Sequence, residues 1–387
     1  KKKQEEKKPF VFELKLDDNQ QFNAYKASIL EKTILNGEKA SHPTMNITFS
    51  LENSGMDFHP GDLMGIYVTN SRLLVDKLIK TLHLDAAMTV GEEGNRKTLK
   101  EALINDYELT VLTPVVLKKY AELIQNPVLN ELIDDEESMN AYLENSDVLD
   151  MVTDFKGSFE VDEFLQILRK LSPRLYSVAS YQKGEKDKAD LTIRNVNYKH
   201  KNRMHQGVCS SFVWTRLEPG DKAPVFVEKN GRFQLPEDPD IPVIMISAGT
   251  GIAPFRSFLQ YRNVHNAKGK SWLFFGERNS ATDFFYKDEL MEYKEKGILT
   301  KLDTAFSRDT EKKHYIYHTL LEKGEEVYEW IEKGAHVFIC GNKRTMANDV
   351  RNGIFEIIRK YGKLSSEETD KLLKELRTEK RLQEDVY

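Results

Sequence analysis

"PVIMISAGTGIAPFRSFLQ", from Pro242 to Gln260, opens as an unbroken apolar run. It breaks at Gly249-Thr250-Gly251 before helix-like text begins at about Pro254. A run with no polar alternation reads as a strand buried on both faces. The glycines would let backbone N–H groups approach a phosphate, and the start of a helix adds its partial positive charge. An ordinary tight turn uses the same glycines. The Gly-Lys-Ser/Thr ending of a Walker loop is missing, and so is Gly-x-Gly-x-x-Gly. Repetition tilts the choice toward a nucleotide. "IPVIMIS" (Ile241 to Ser247), "SWLFFG" (Ser271 to Gly276), "LTKLDTAFS" (Leu299 to Ser307) and "HVFICG" (His336 to Gly341) are each followed by helix-like text. Such a series predicts a parallel sheet covered on both faces, with ligands beyond the carboxyl ends of its strands. Gly249-Thr250-Gly251, Gly276-Glu277-Arg278, Ser307-Arg308 and Cys340-Gly341 stand at those ends.

"SRDTEKKHYIY" (Ser307 to Tyr317) brings a hydroxyl, an arginine and lysines after the third strand. A ribose 2′-hydroxyl is usually met by an acidic residue there, whereas a 2′-phosphate wants cations. Arg308 and Lys313 favour NADP and Asp309 counts against it, with a surface Ser-Arg-Asp turn as the plain alternative. "QGVCSSF" (Gln206 to Phe212) leads into "VWTRL", helical in pattern; it suits a phosphate, or an ordinary helix cap. Cys340 after a buried strand has a plain reading as a small core residue. The terminal "EDVY" has one as a frayed tail.

Upstream, residues 22–68 read as strand. "MNITFSL" alternates, and "HPGDLMGIYV" is a turn followed by an apolar strand. From Ser71 to about Arg169, "VDKLIKTLHL", "VLKKYAELI" and "VDEFLQILRKL" space apolar residues by three and four, which predicts helices. Strand text returns with "SPRLYSVASYQ" (Ser172 to Gln182), "ADLTIRNVNY" and "GDKAPVFVEK". The helical block therefore reads as an insertion into a β domain. The expected layout is a charged linker over 1–20, a barrel over 21–70 and 170–238, the helical insertion over 71–169, and a parallel-sheet domain over 239–387.

The 387 residues are too many for one ordinary core. A net charge of −5 implies no general attraction to nucleic acid. Two cysteines far apart, Cys209 and Cys340, make neither a metal site nor a disulfide framework, which fits a reducing compartment. No apolar run reaches the roughly 18 residues that a membrane span needs. Cytoplasmic localisation is expected. The opening Lys1-Lys2-Lys3-Gln4-Glu5-Glu6 lacks methionine and reads as the linker of a fragment or processed product.

Taken together, "SPRLYSVAS", "PVIMISAGTGIAPFRSFLQ", "WLFFGERN", "DFFYKDEL", "AFSRD" and the terminal "DVY" are specific. Through them the chain resembles the ferredoxin–NADP reductase-type half of the diflavin reductases, the sulfite reductase flavoprotein α subunit in particular. The likeness runs from about Phe22 to the end, helical insertion included. It implies an antiparallel FAD-binding barrel interrupted by a helical connecting domain, followed by a Rossmann-like NADP domain. It further implies that Arg174 meets the FAD pyrophosphate, that Tyr176, next to Leu175, packs on the isoalloxazine, and that Ser177 lies near the nitrogen that accepts hydride. Thr110, Thr192, Ile193, Arg194, Tyr198, Gly207, Val208, Cys209 and Ser210 match further FAD contacts. Gly249, Thr250, Gly251 and Arg278 match the NADPH pyrophosphate site. Ser307, Arg308, Lys313 and Tyr315 match the 2′-phosphate pocket, and Asp349 a further contact. Cys340 and Asp385 join Ser177 around the hydride path, and Tyr387 matches the aromatic that stacks on the flavin. Tyr317 and Met45 depart from the family pattern, Tyr317 standing where many members have glutamine and Met45 where some have arginine.

The expected activity is NADPH oxidation through FAD, with no metal. FMN is expected only on a missing flavodoxin-like domain or on a partner protein, and sulfite reductase hemoprotein as the final acceptor. Two alternatives stay open: a stand-alone ferredoxin or flavodoxin reductase, and a nucleotide-binding regulatory protein without chemistry.

Overall fold

The computed structural model describes residues 24–183 and 187–387. The charged linker expected over residues 1–20 lies outside them. Among the described residues, Thr69–Leu171 cluster as one compact unit, and Tyr25–Val68 with Ser172–Tyr387 as another.

The second unit begins with β1 (Tyr25–Ile34), β2 (Thr44–Ser50) and β3 (Leu63–Ile66). On β2 every second residue, Met45, Ile47 and Phe49, is buried, which is the alternation expected of a half-buried strand. The chain then enters the other unit. There α1 (Arg72–Thr81), a short ladder of β4 (Thr89–Val90) and β5 (Lys97–Thr98), and α2 (Leu99–Asn105) to α7 (Val161–Ile167) are described. Its helix starts are written locally: Thr98, Thr113, Asn126, Asp135 and Asp147 each accept a backbone N–H with the side chain, and Pro114 and Pro127 open two helices. Leu78, Leu103, Leu117, Tyr120, Met151 and Phe164 form its core.

Strand text returns as β6 (Arg174–Ser177), β7 (Lys188–Arg194), the hairpin β8 (Asn197–His200) with β9 (Arg203–Gln206), and β10 (Lys222–Glu228). Between β9 and β10, α8 (Val208–Ser211) runs directly into a π-helical turn over Phe212–Arg216. The antiparallel sheet has the order β6-β3-β10-β1-β2-β7. Gly65 on β3 lies beneath the Phe226 ring, where a Cβ would come within 2.2 Å of it.

Continuing, β11 (Val243–Ala248), β12 (Ser271–Glu277), β13 (Lys301–Phe306), β14 (His336–Gly341) and β15 (Leu382–Val386) form a second sheet, ordered β13-β12-β11-β14-β15, with parallel pairing throughout. Its helices are α9 (Ala253–Val264), α10 (Lys287–Glu295), α11 (Ile316–Glu322), α12 (Gly324–Glu332), α13 (Met346–Tyr361) and α14 (Ser366–Thr378). Successive residues of β11 explain its unbroken apolar text. Val243 and Met245 pack with Phe255, Phe258 and Phe338 on one face; Ile244 and Ile246 pack with Trp272, Leu320 and Ile354 on the other. Four strands were expected here, and the fifth, β15, has no apolar run to announce it.

Arg256 of α9 links the two sheets. Its Nη1 donates to Asp190 Oδ2 on β7 at 2.6 Å and to Ala179 O at 3.0 Å, its Nε donates to Glu289 Oε2 at 2.6 Å, and the guanidinium lies 4.7 Å from the Tyr286 ring centre. Among the described residues no helix is long and apolar enough to cross a membrane.

Candidate functional site

The carboxyl edge of the parallel sheet meets the end of β6. Ser177 Oγ donates to Asp385 Oδ2 at 2.5 Å, across 208 residues of sequence. Cys340 on β14 is the register partner of Asp385 on β15. Burial pushes the Cys340 thiol well above its ordinary value and the neighbouring Asp385 carboxylate adds to this, while a hydrogen bond with Ser177 opposes it. Burial also raises Asp385, again opposed by Ser177. The thiol is therefore held protonated, and a hydroxyl, a thiol and a carboxyl share one corner. Cys340 belongs to the aromatic core around Phe255 and Phe258 as well. The expected plain reading of Cys340 as a small core residue is thus met.

Gly249, Thr250 and Gly251 form a 3-10 turn that joins β11 to α9. Gly249 has φ +59°, and a Cβ on Gly251 would stand 2.1 Å from the Cys340 carbonyl oxygen, so the loop packs directly on the end of β14. Thr250 Oγ1 lies 2.5 Å from the Tyr387 hydroxyl. Tyr387 is pinned by its backbone too: its N–H donates to Gly341 O at 3.2 Å, and its carbonyl accepts from Lys343 N at 2.8 Å. The residue as a whole stays 60% exposed, although burial raises its phenol.

Cations gather beside this turn. Arg194, at the end of β7, pairs with Glu277 of β12, yet its buried Nε has no hydrogen-bond partner. Arg278 donates to Ser41 Oγ at 2.8 Å. Its pKa is lowered by burial first and then by Arg308 and Arg194, the signature of positive charges crowded together. Ser307 and Arg308 continue this edge through backbone bonds to Glu277 O and Arg278 O. Lys313 and Tyr315 precede α11 and are exposed, as is Asp349, which stands on a separate element in the first turn of α13.

On the barrel side, Arg174, Leu175, Tyr176 and Ser177 make up β6, with Leu175 44% exposed. Burial raises the Tyr176 phenol well above its ordinary value, and a hydrogen bond with Cys209 adds to this; burial takes the Cys209 thiol up to about 11. Thr192 Oγ1 is 2.7 Å from the Tyr286 hydroxyl. The Tyr198 ring stacks on His205 at 5.1 Å. Gly207 precedes α8, where Ser210 Oγ accepts from Val196 N at 3.2 Å. The side chains of Ile193, Val208 and Cys209 are buried in the core. Thr110 lies in the helical unit, where its N–H and hydroxyl both donate to Glu108. Of the two departures, Met45 is buried opposite Ile193, and the Tyr317 ring sits 4.7 Å from His318.

Glu277 and Ser41 were not singled out by sequence reading as site residues. The acid stands in the quoted "GER" strand end, but its partner Arg194 is 83 residues away, and Ser41 lies in a loop with no motif. The arrangement fits an anionic dinucleotide. It offers crowded guanidinium groups, an unpartnered buried Nε on Arg194, and a turn in which glycine alone allows the close approach. Exposed Leu175, Val196, Tyr198 and Met204 on and beside the barrel strands supply apolar surface for flat rings.

Known proteins are similar to this chain in sequence. A family described as FAD binding domain matches residues 17–212, and one described as oxidoreductase NAD-binding domain matches residues 245–352. The sulfite reductase [NADPH] flavoprotein alpha-component of Bacillus subtilis (strain 168) is 45% identical over 371 residues, covering 94% of this chain and 61% of the relative. The proteins of the same name from Vibrio parahaemolyticus and Aliivibrio fischeri are 37% and 38% identical, over 94% of this chain and 59% and 60% of their own lengths. The chain thus spans about three fifths of the length of these relatives.

Proposed function

The chain belongs to the FAD-binding domain family, here joined to an oxidoreductase NAD-binding domain, and from that premise we propose that it works as an NADPH-oxidising reductase module. When bound, FAD supplies the chemistry that lets a two-electron hydride donor feed one-electron acceptors. The observation that carries the reading is the bond from Ser177 on the flavin-side strand to Asp385 on the nucleotide-side sheet, beside Cys340. That bond supports the reading, because a proton-holding group would then stand between the two regions we assign to the cofactors.

Each group of residues then has a task. Arg174 and the Gly207–Ser210 segment bind the FAD phosphates, while Tyr176 and Tyr198 present flat faces, supported by Thr192, Ile193 and Arg194. Gly249, Thr250, Gly251 and Arg278 take the NADPH pyrophosphate. Ser307, Arg308, Lys313 and Tyr315 take the 2′-phosphate, with Asp349 at the margin. The Cys340 thiol and the Asp385 carboxyl hold the Ser177 hydroxyl in one orientation, and the Tyr387 ring would stack on the flavin.

The relatives are named as flavoprotein components of an NADPH sulfite reductase. By analogy the electrons leave this chain for an FMN-containing flavodoxin-like domain or protein, and then for a sulfite reductase hemoprotein, in the cytoplasm. The test begins with purified protein: denaturation should release FAD and no FMN, and NADPH should reduce ferricyanide far faster than NADH does. Stoichiometric FMN, or equal rates with both nucleotides, would overturn the reading. Sulfite reduction should require both the hemoprotein and an FMN protein; a hemoprotein served without FMN would remove that link of the chain.

A further inference from the structure

His318 lies within the first turn of α11, and its Nδ1 accepts the backbone N–H of Tyr315 at 3.0 Å. A backbone N–H can only donate, so Nδ1 carries its lone pair, and the ring is neutral with its hydrogen on Nε2. The same ring packs against Tyr315 at 6.0 Å and 22°, against His314 at 5.3 Å and 30°, and against Tyr317 at 4.7 Å. One imidazole thus braces the backbone and the side chain of Tyr315 together.

Its surroundings can be named. His314, on the same segment, is fixed by Thr319 Oγ1 at 2.9 Å. His318 lines a cleft of about 510 Å³ with Asp309, Thr310, Lys312, Lys313 and Glu322, while β13 contributes only the uncharged Thr304, Ala305 and Phe306. From α13, Gly353 lies against Tyr317. Two lysines therefore face the ring against two carboxylates, with no buried acid bonded to it among the described residues.

We infer that His318 is a positioning residue for Tyr315, so that discrimination between NADPH and NADH depends on an uncharged imidazole in α11. The inference rests on the assignment of Ser307, Arg308, Lys313 and Tyr315 to the 2′-phosphate. A protonated His318 would turn an N–H toward the Tyr315 N–H, replacing a hydrogen bond with two opposed donors.

The test is equilibrium calorimetry on the intact flavoprotein with two probes, adenosine 2′,5′-bisphosphate and ADP. His318→Ala should weaken the bisphosphate roughly two- to tenfold, the worth of one net hydrogen bond, and change ADP by less than about twofold. His318→Asn keeps an acceptor near the Nδ1 position, and it should bind the bisphosphate nearly as the parent does. Melting curves check that the variants are folded.

Equal weakening of both probes by His318→Ala, no weakening at all, or an Asn variant that binds the bisphosphate as weakly as the Ala variant would each overturn the inference. Arg308→Ala separates the two layers. If it weakens the bisphosphate while His318→Ala does not, the positioning role alone fails. If Arg308→Ala leaves the bisphosphate untouched, the pocket assignment fails and the inference falls with it.

Discussion

Gly251→Ala tests whether the turn after β11 is built against the end of β14. The added Cβ would lie 2.1 Å from Cys340 O, 2.6 Å from Cys340 C and 3.0 Å from Gly341 N. All three are backbone atoms of a strand paired on both sides, β11 on one and β15 on the other, so no side chain can swing away. Restoring an ordinary C···O separation of about 3.3 Å requires the turn and the strand to part by about 1.2 Å. Overpacking of that kind costs about 2–3 kcal/mol. Gly249→Ala is the internal control. Its φ of +59° costs roughly 1 kcal/mol for a residue with a Cβ, but its nearest neighbour is Arg194 Nη2 at 2.8 Å, the far end of a flexible side chain. Urea unfolding followed by tryptophan fluorescence suits the measurement, because Trp272 and Trp330 pack 5.2 Å apart in this half of the chain. Gly251→Ala should lower the midpoint by about 1 M, and Gly249→Ala by under half of that. The Gly251 variant should also bind adenosine 2′,5′-bisphosphate less tightly, since the turn has moved. If Gly249→Ala proves the more damaging for stability, the packing argument is wrong.

Two more outcomes are expected. Burial raises the Asp385 carboxyl above its ordinary 3.8, so the folded chain holds that proton more tightly than the unfolded chain and loses stability as pH rises through the raised range. Asp385→Asn lacks this loss. Its urea midpoint relative to the parent should be higher at pH 7 than at pH 3, while NADPH-driven flavin reduction slows; a pH-independent difference would show that the carboxyl is not buried as described. Tyr387→Phe keeps the ring and removes the 2.5 Å contact to Thr250, which should loosen the tail and tighten NADP⁺ binding roughly two- to tenfold; unchanged affinity would mean that this hydroxyl does not hold the ring in place.

How much the sequence reveals depends on where the information lies. The strands of the parallel sheet announce themselves because both faces are buried, as Val243 and Met245 on one side and Ile244 and Ile246 on the other demonstrate. The glycine turn and the cations after β12 and β13 were legible because each stands directly beyond a strand that the apolar text had already located. The strand "LQEDV" was not, because its polar residues are stabilised by distant partners. Gln383 donates to Gln234 O at 3.0 Å and accepts from Gln234 N at 2.8 Å, Glu384 accepts from Arg351 Nε at 2.8 Å, and Asp385 accepts from Ser177. No local pattern encodes bonds across 149, 33 and 208 residues. The pairing of Arg194 with Glu277 escaped for the same reason, while the expectation that Asp349 binds a cofactor came from resemblance alone.

Those polar contacts also settle how the site is aimed. A strand changes face at every residue, so slipping β15 by one position would bring Glu384 or Val386 opposite Cys340 in place of Asp385. Hydrophobic burial cannot prevent this alone, because only Leu382 and Gln383 of the strand are buried. The bonds of Gln383 to Gln234 and of Glu384 to Arg351 do so, since each requires a particular residue at a particular height. A slipped strand would take these partners away from the Gln234 backbone groups and the Arg351 guanidinium, losing net hydrogen bonds of about 0.5–1.5 kcal/mol each. Two contacts with no part in binding or chemistry thereby fix which acid reaches Ser177. The register they hold carries Tyr387 on to Thr250.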